Sequence, residues 1–345
     1  MTQRHWLGAI AVMAVLFGVV GCGDNDSATN RAEPPRAAPP AASQRAPSDQ
    51  VPPQPAAQAS ADTPLSGTPA GEPPPTPAAE AGGKAPAYFT PPNEIPDNEF
   101  GRLVRMGEQI FTDTPTHAKE FAGNGLSCAN CHMDAGRHPN SSPLWGAYPN
   151  YPAFRKKTGK VDTYPERLQG CFMYSMDGTA PPADSEVMNA LVAYSHWMSQ
   201  GVPIGDDKID GRGYPELPQP QREPSPERGA QVFETNCAVC HGADGQGQKA
   251  SDGKYAFPPL WGPDSFNWGA GMHRVNTGAA FIKANMPLGK GGSLTDQEAW
   301  DVAAYMNHQP RPQDPRFNGD VAETDAEYHD EQCFYGDAEA LPRRN

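Results

Sequence analysis

The sequence predicts an all-α protein in which one small helical unit is used twice. Three observations predict it. The first is a repeated Cys-x-x-Cys-His, at Cys128-Ala129-Asn130-Cys131-His132 and at Cys237-Ala238-Val239-Cys240-His241. The second is the segment ahead of each copy, Gly107-Glu108-Gln109-Ile110-Phe111 and Gly229-Ala230-Gln231-Val232-Phe233, both of which read as the end of a helix. The third is a further helical pattern that begins 52 to 54 residues after the motif histidine, over Asp184 to Met198 and over Thr295 to Asn307.

Taken in chain order, the 345 residues open with Arg4 in a short basic start and an apolar run from Leu7 to Val20. This is the pattern of an export signal, too short to span a bilayer as a stable helix. The run ends in Val19-Val20-Gly21-Cys22, which resembles a bacterial lipobox with Cys22 as the lipidated residue. An ordinary signal peptide with an incidental Cys22 is the other reading. Residues 1–21 are therefore expected to be a signal peptide, and 22–93 a lipidated N-terminus and disordered linker. That linker is dominated by Pro, Ala, Ser and Gly, as in Pro34-Pro35 and Pro73-Pro74-Pro75, and lacks the apolar area needed to offset ordering entropy. A segment of this length reaches roughly 50 Å as a coil, or at most roughly 200 Å as continuous polyproline II.

Enough chain remains for two domains of ordinary size, expected at 94–217 and 218–320 with a tail at 321–345. Asp184 or Ser185, and Thr295, are plausible N-caps ahead of acidic first turns. Val187, Ala190, Leu191 and Tyr194 recur at helical spacing, and Trp300, Val302, Ala303 and Tyr305 do so less regularly. Ala193-Tyr194 corresponds to Ala304-Tyr305. The Pro-rich stretch between Leu217 and Pro226 is a short extended linker between the copies.

Each Cys-x-x-Cys-His is the attachment signature of a c-type haem: two thiols form thioethers and the adjacent His is the proximal iron ligand. A zinc or thioredoxin-like pair needs no His as the next residue, and not twice. The expected cofactors are two covalently bound haem c, held by Cys128, Cys131, Cys237 and Cys240 and ligated by His132 and His241. The arrangement has the layout of tandem class I cytochrome c domains, with helices crossing at a small residue and the haem edges near one another. Covalent attachment of this kind occurs outside the bacterial cytoplasm, so a periplasmic location is expected. No other segment is apolar enough to cross a membrane, so attachment is expected through the lipid alone.

The sixth ligands decide the chemistry. In the second domain Met286, in Ala284-Asn285-Met286-Pro287, stands at the usual place for an axial thioether, with Met272 and His273 as alternatives. In the first domain the same spacing points to Met176, but Cys171 stands five residues earlier. On the residues alone, a buried structural Cys171 and a Cys171 iron ligand weigh equally.

Phe111-Thr112-Asp113-Thr114-Pro115, Gly123 to Cys128, Cys131 to Arg137, the Glu166 to Gly178 stretch and Arg311-Pro312-Gln313-Asp314-Pro315-Arg316-Phe317 resemble the di-haem thiosulfate dehydrogenases that make tetrathionate. The resemblance covers roughly Phe100 to Phe317 and neither the linker nor the tail. It implies that Cys171 binds the active-site haem and serves as sulfur nucleophile. It also implies that two thiosulfates are joined, with two electrons passed to a soluble or membrane-associated cytochrome c. Some members carry a Lys beside the second haem's Met; here Asn285 stands there, which favours Met286.

Joining two dianions requires fixed positive charge. Arg155-Lys156-Lys157, Lys160 and Arg167 form a basic island just before Cys171. Arg155 and Arg167 are assigned to the anion cradle, since a guanidinium binds oxyanions bidentately, and Ser175 to a hydrogen bond with a sulfonate oxygen. The lysines read equally as solvated surface. The formal net charge of −14 argues against a nucleic-acid partner. Two rival functions remain at this level: net tetrathionate reduction at the same site, and a tethered electron carrier with Met176 as ligand. Cys333 is an odd thiol whose neighbours assign it no role.

Overall fold

The computed structural model describes residues 88–206, 208–329 and 332–343. The signal segment, Cys22 and nearly all of the linker lie outside the described residues. What is described is mostly helical, and it is the same helix crossing built twice.

In the first copy, helix Glu99–Thr112 starts at Asn98, whose side chain accepts from the Gly101 N–H at 2.9 Å. It buries Gly101, Val104, Gly107, Ile110 and Phe111, a stripe at helical spacing. That stripe crosses helix Glu186–Met198, capped by Ser185 and burying Leu191, Tyr194 and Trp197 among others. At the crossing a Cβ on Gly107 would overlap the Ala190 carbonyl oxygen and crowd Tyr194 Cβ. The second copy repeats this residue for residue. Helix Pro226–Asn236 follows the cap Ser225, and helix Asp296–Asn307 opens on a Thr295/Glu298 capping box. A Cβ on Gly229 would overlap the Asp301 carbonyl oxygen and crowd Tyr305 Cβ.

Each copy adds a middle helix, Tyr164–Gly170 in the first and Val275–Asn285 in the second. The all-α expectation needs one correction. Among the described residues there are three two-stranded ribbons: Ala153–Arg155 with Lys160–Asp162, Gln248–Lys249 with Tyr255–Phe257, and a parallel pair of Arg311–Pro312 with Ala340–Leu341. With two or three residues per strand they make no layer; they pin loops and the tail. The tail itself is structured, with helix Val321–Tyr328 before its strand.

Two apolar cores result, one around Trp145, Phe172, Tyr194 and Trp197 and the other around Phe233, Trp261 and Trp300, with Met272 packed against both. Buried amides join the copies. Asn124 Nδ2 donates to the Ser265 carbonyl (3.0 Å), Asn267 Nδ2 to the Met173 carbonyl and to Asp177 Oδ1 (both 2.8 Å), and Asn285 Nδ2 to the Asn140 carbonyl (3.0 Å).

Candidate active site

Both Cys-x-x-Cys-His segments fold as a single tight turn. The His132 N–H donates to the Cys128 carbonyl at 3.0 Å, and the His241 N–H to the Cys237 carbonyl at 2.9 Å. The side chains of each motif are thereby gathered on one turn. His132 Nδ1 lies 2.7 Å from the Ser142 carbonyl oxygen, and His241 Nδ1 lies 2.8 Å from that of Pro258. A carbonyl only accepts, so each Nδ1 carries the proton and each Nε2 keeps its lone pair. Burial also lowers the pKa of both imidazoles and keeps them neutral. This is the orientation and tautomer an iron-ligating His needs.

Three of the four motif thiols sit in similar surroundings. Burial pushes Cys128 up to about 12 and Cys131 and Cys237 up to about 11, a setting that suits thioethers better than thiolates. A cavity of about 320 Å³ is lined by Cys131 and Met133 from the first copy and by Cys237, Cys240, His241 and Met286 from the second. Its walls are mostly apolar and include Phe233, Phe257 and Phe281. The residues present therefore fit haem. The cavity also brings Cys131 of the first motif and Cys237, Cys240 and His241 of the second against one space. Met286, at the C-terminal end of helix Val275–Asn285, faces the same cavity as His241. Of its alternatives, Met272 also lines it, whereas His273 turns its Nδ1 to Cys333. Asn285 is buried, with its amide given to Asn140 and Phe281.

Cys171 caps helix Tyr164–Gly170 and opens a π-helical turn, Cys171–Ser175. The Met176 N–H closes that turn on the Cys171 carbonyl at 3.0 Å, five residues back. Such turns are rare and cluster at functional sites. Arg167, one α-helical turn before, donates from Nη1 to Cys171 Sγ at 3.1 Å. The Cys171 sulfur is the main reason the Arg167 pKa lies above its ordinary value, ahead of the opposing effect of burial. Cys171 acts electrostatically on Cys128, and Arg167 on His132, so this pair stands beside the first haem motif. Met176 is packed in the apolar core of the first copy. Ser175 ends the π turn with its carbonyl accepting from Asn124 Nδ2 at 3.0 Å.

The basic island divides on inspection. Lys160 is bound to Glu166 at 2.6 Å on the surface. Arg155 is exposed at the end of its ribbon strand, and together with Arg167 it acts on the Tyr151 hydroxyl, placing both guanidinium groups around that tyrosine. Lys157 turns inward: its ammonium donates to the Gly269 carbonyl and lies 3.5 Å from the centroid of the Tyr174 ring. Desolvation of that ammonium, then Arg316 and Arg167, lower its pKa to about 7. Tyr151, Tyr164 and Tyr214 all feel both Arg167 and Cys171. The sequence reading missed these three phenols, since nothing in their spacing ties them to Cys171.

A helix crossing repeated around two Cys-x-x-Cys-His turns, with both histidines set as ligands, defines a cytochrome c protein with two domains in tandem. The cytochrome c family matches residues 226–310, and the SoxA/TsdA cytochrome c domain family matches residues 114–204. The chain is 61% identical over 236 residues to the thiosulfate dehydrogenase of Stutzerimonas stutzeri (strain A1501), covering 68% of this chain and 76% of that one. It is 55% identical over 243 residues to that of Thiomonas intermedia (strain K12), covering 70% and 77%. Among solved structures it is similar to the "as isolated" thiosulfate dehydrogenase (TsdBA) of Marichromatium purpuratum, with a TM-score of 0.71 and 47% identity over 74% of this chain and 58% of that chain. The chain belongs to the thiosulfate dehydrogenase family.

Proposed function

We propose that this protein oxidises thiosulfate at the Cys171 face of the first domain, joining two molecules into tetrathionate and passing two electrons to a cytochrome c-type acceptor. The observation that carries the reading is the Arg167–Cys171 contact of 3.1 Å beside the first haem motif. Arg167 gives this sulfur a charged hydrogen-bond donor at the point where the reaction needs a ligand and nucleophile.

The roles follow from position. Cys128, Cys131, Cys237 and Cys240 would attach the haems, and His132 and Cys171 in the first domain and His241 and Met286 in the second would supply the iron ligands. Haem bound at the two motifs supplies two one-electron acceptors, matching the two electrons that one new sulfur–sulfur bond releases. Cys171 Sγ bonds to the outer sulfur of one thiosulfate as that electron pair leaves. A second thiosulfate then attacks this sulfur, which frees tetrathionate and restores the Cys171 thiolate. Arg167 stays beside the sulfur through both steps. Arg155 and Lys157 offset the charge of the two dianions, and Ser175 offers a hydroxyl to a sulfonate oxygen.

Among the described residues no helix is long and apolar enough to cross a membrane. We place the enzyme on the periplasmic side, tethered through a lipid on Cys22. The test of function is thiosulfate-dependent haem reduction by the purified protein and by Cys171→Gly, with haem content and tetrathionate measured in both. The wild type is expected to be reduced and to form tetrathionate, and the haem-replete variant to do neither. Equal responses would overturn the thiolate role. No response from either would leave a tethered electron carrier.

A further inference from the structure

Away from the Cys171 face, three side chains converge on one point at the edge of the second domain. His273, on the 3-10 turn Gly271–His273, brings Nδ1 to 3.0 Å from Cys333 Sγ. His329, which ends helix Val321–Tyr328, brings its own Nδ1 to 3.2 Å from the same sulfur. The two imidazole centroids are 4.9 Å apart, and one ligand atom from each of the three residues falls within 4.8 Å of the others. A tetrahedral ion with nitrogen at about 2.0 Å and sulfur at about 2.3 Å separates N from S by about 3.5 Å. The two N–S separations of 3.0 and 3.2 Å fall within a few tenths of an ångström of that value.

The surroundings are those of a held site. Asp314 Oδ2 lies 3.2 Å from His329 Nε2, and both side chains are fully buried. Asp314 is itself fixed by Arg316, through Nη2 at 2.6 Å and Nε at 2.9 Å. The Asp314 carboxylate thus stands on the Nε2 side of the His329 ring while Nδ1 faces the sulfur, the placement a carboxylate takes behind a metal-ligating histidine. The His329 ring stacks on Tyr335 at 4.1 Å, and the Val275 N–H donates to the Gln332 carbonyl at 2.8 Å, which locks the loop just before Cys333.

We infer that His273, His329 and Cys333 form a mononuclear site for a late first-row transition ion, zinc or copper. The donor set selects the ion. Two imidazoles and a thiolate suit zinc and copper, whereas calcium and magnesium require oxygen ligands that the cluster lacks. Buried Arg311 and Cys333 act on one another electrostatically, so a cation is not drawn to this place by charge alone. Coordination must then come from sulfur and nitrogen. The ion would tie the tail to the body of the second domain, since His329 and Cys333 belong to the tail and His273 does not.

The test uses the purified holoprotein, treated with chelator, offered zinc chloride or copper chloride, and desalted before metal is counted against haem iron. One zinc or copper per two irons is expected, with X-ray absorption at that metal's edge showing one sulfur near roughly 2.3 Å and two nitrogens near roughly 2.0 Å. The two arms decide which ion binds. Cys333 should be shielded from alkylation in the loaded protein, as read by mass spectrometry. Cys333→Ser and His329→Gln should lose the ion while keeping both haems and thiosulfate-dependent reduction. Substoichiometric metal in both arms, with Cys333 alkylated equally with and without it, overturns the inference. If a variant fails to fold, the alkylation comparison on the unmodified chain decides.

Discussion

The ammonium of Lys157 sits where the chemistry of single side chains can be read through pH. Its pKa of about 7 lies well below the ordinary 10.5 because the group is desolvated and shares its surroundings with Arg316 and Arg167. A lowered lysine pKa means that the charge is present below about pH 7 and is lost as pH rises through that value. Lys157 acts on the same neighbourhood as Cys171 and Arg167, so losing its charge weakens attraction for a dianion. The KM for thiosulfate is expected to rise several-fold between pH 6 and pH 8, and Lys157→Met should show the high KM at both. A variant with the unchanged pH profile would assign the titration to another group. Arg167 and Cys171 were legible in the sequence as residues of interest, and their four-residue spacing on a helix end is what places donor against sulfur. The inward turn of Lys157 was not legible, because its partners Gly269 and Tyr174 come from distant chain. The same holds for His273 and Cys333, which are 60 residues apart and meet only when the tail packs.

At the scale of elements, the helix crossings carry both domains. Gly107 and Gly229 are the points where two backbones touch, and in each a methyl group would fall on a carbonyl oxygen of the partner helix. Gly107→Ala and Gly229→Ala should each destabilise the domain that contains the change by about 1–3 kcal/mol, the usual cost of overpacking a close contact. Thermal melting followed at the haem absorbance measures this, and an unshifted transition would mean the helices move apart freely. These crossings were visible beforehand because the repeat, the caps at Ser185 and Thr295 and the paired Ala-Tyr steps are local patterns. The π turn at Cys171–Ser175 was not. A one-residue widening leaves hydrophobic periodicity nearly intact, so an α-helix and a π turn look alike over five residues. The tail's helix and strand were also missed. Its strand is two residues long and is paired parallel with Arg311–Pro312, an arrangement without a sequence signature.

The whole molecule presents a contest between two fields. A net charge of −14 repels a dianion from a distance, while Arg155, Lys157 and Arg167, in the proposed cradle, would attract it near Cys171. Which wins depends on range. At an ionic strength of 0.1 M the screening length is about 10 Å, so charges spread over both domains are largely hidden from an approaching ion. The cluster acts within a few ångströms, with the Lys157 ammonium against the Tyr174 ring, and is screened less. Salt added from low concentration therefore first removes long-range repulsion and then erodes local attraction. The kcat/KM for thiosulfate is expected to rise slightly or stay level up to about 0.1 M sodium chloride and to fall several-fold by about 0.5 M. Arg155→Gln should flatten the fall, because that guanidinium is exposed and contributes through solvent. A monotonic rise across the whole range would show that the net charge governs capture, and the basic island would then have no role in drawing the anion to Cys171.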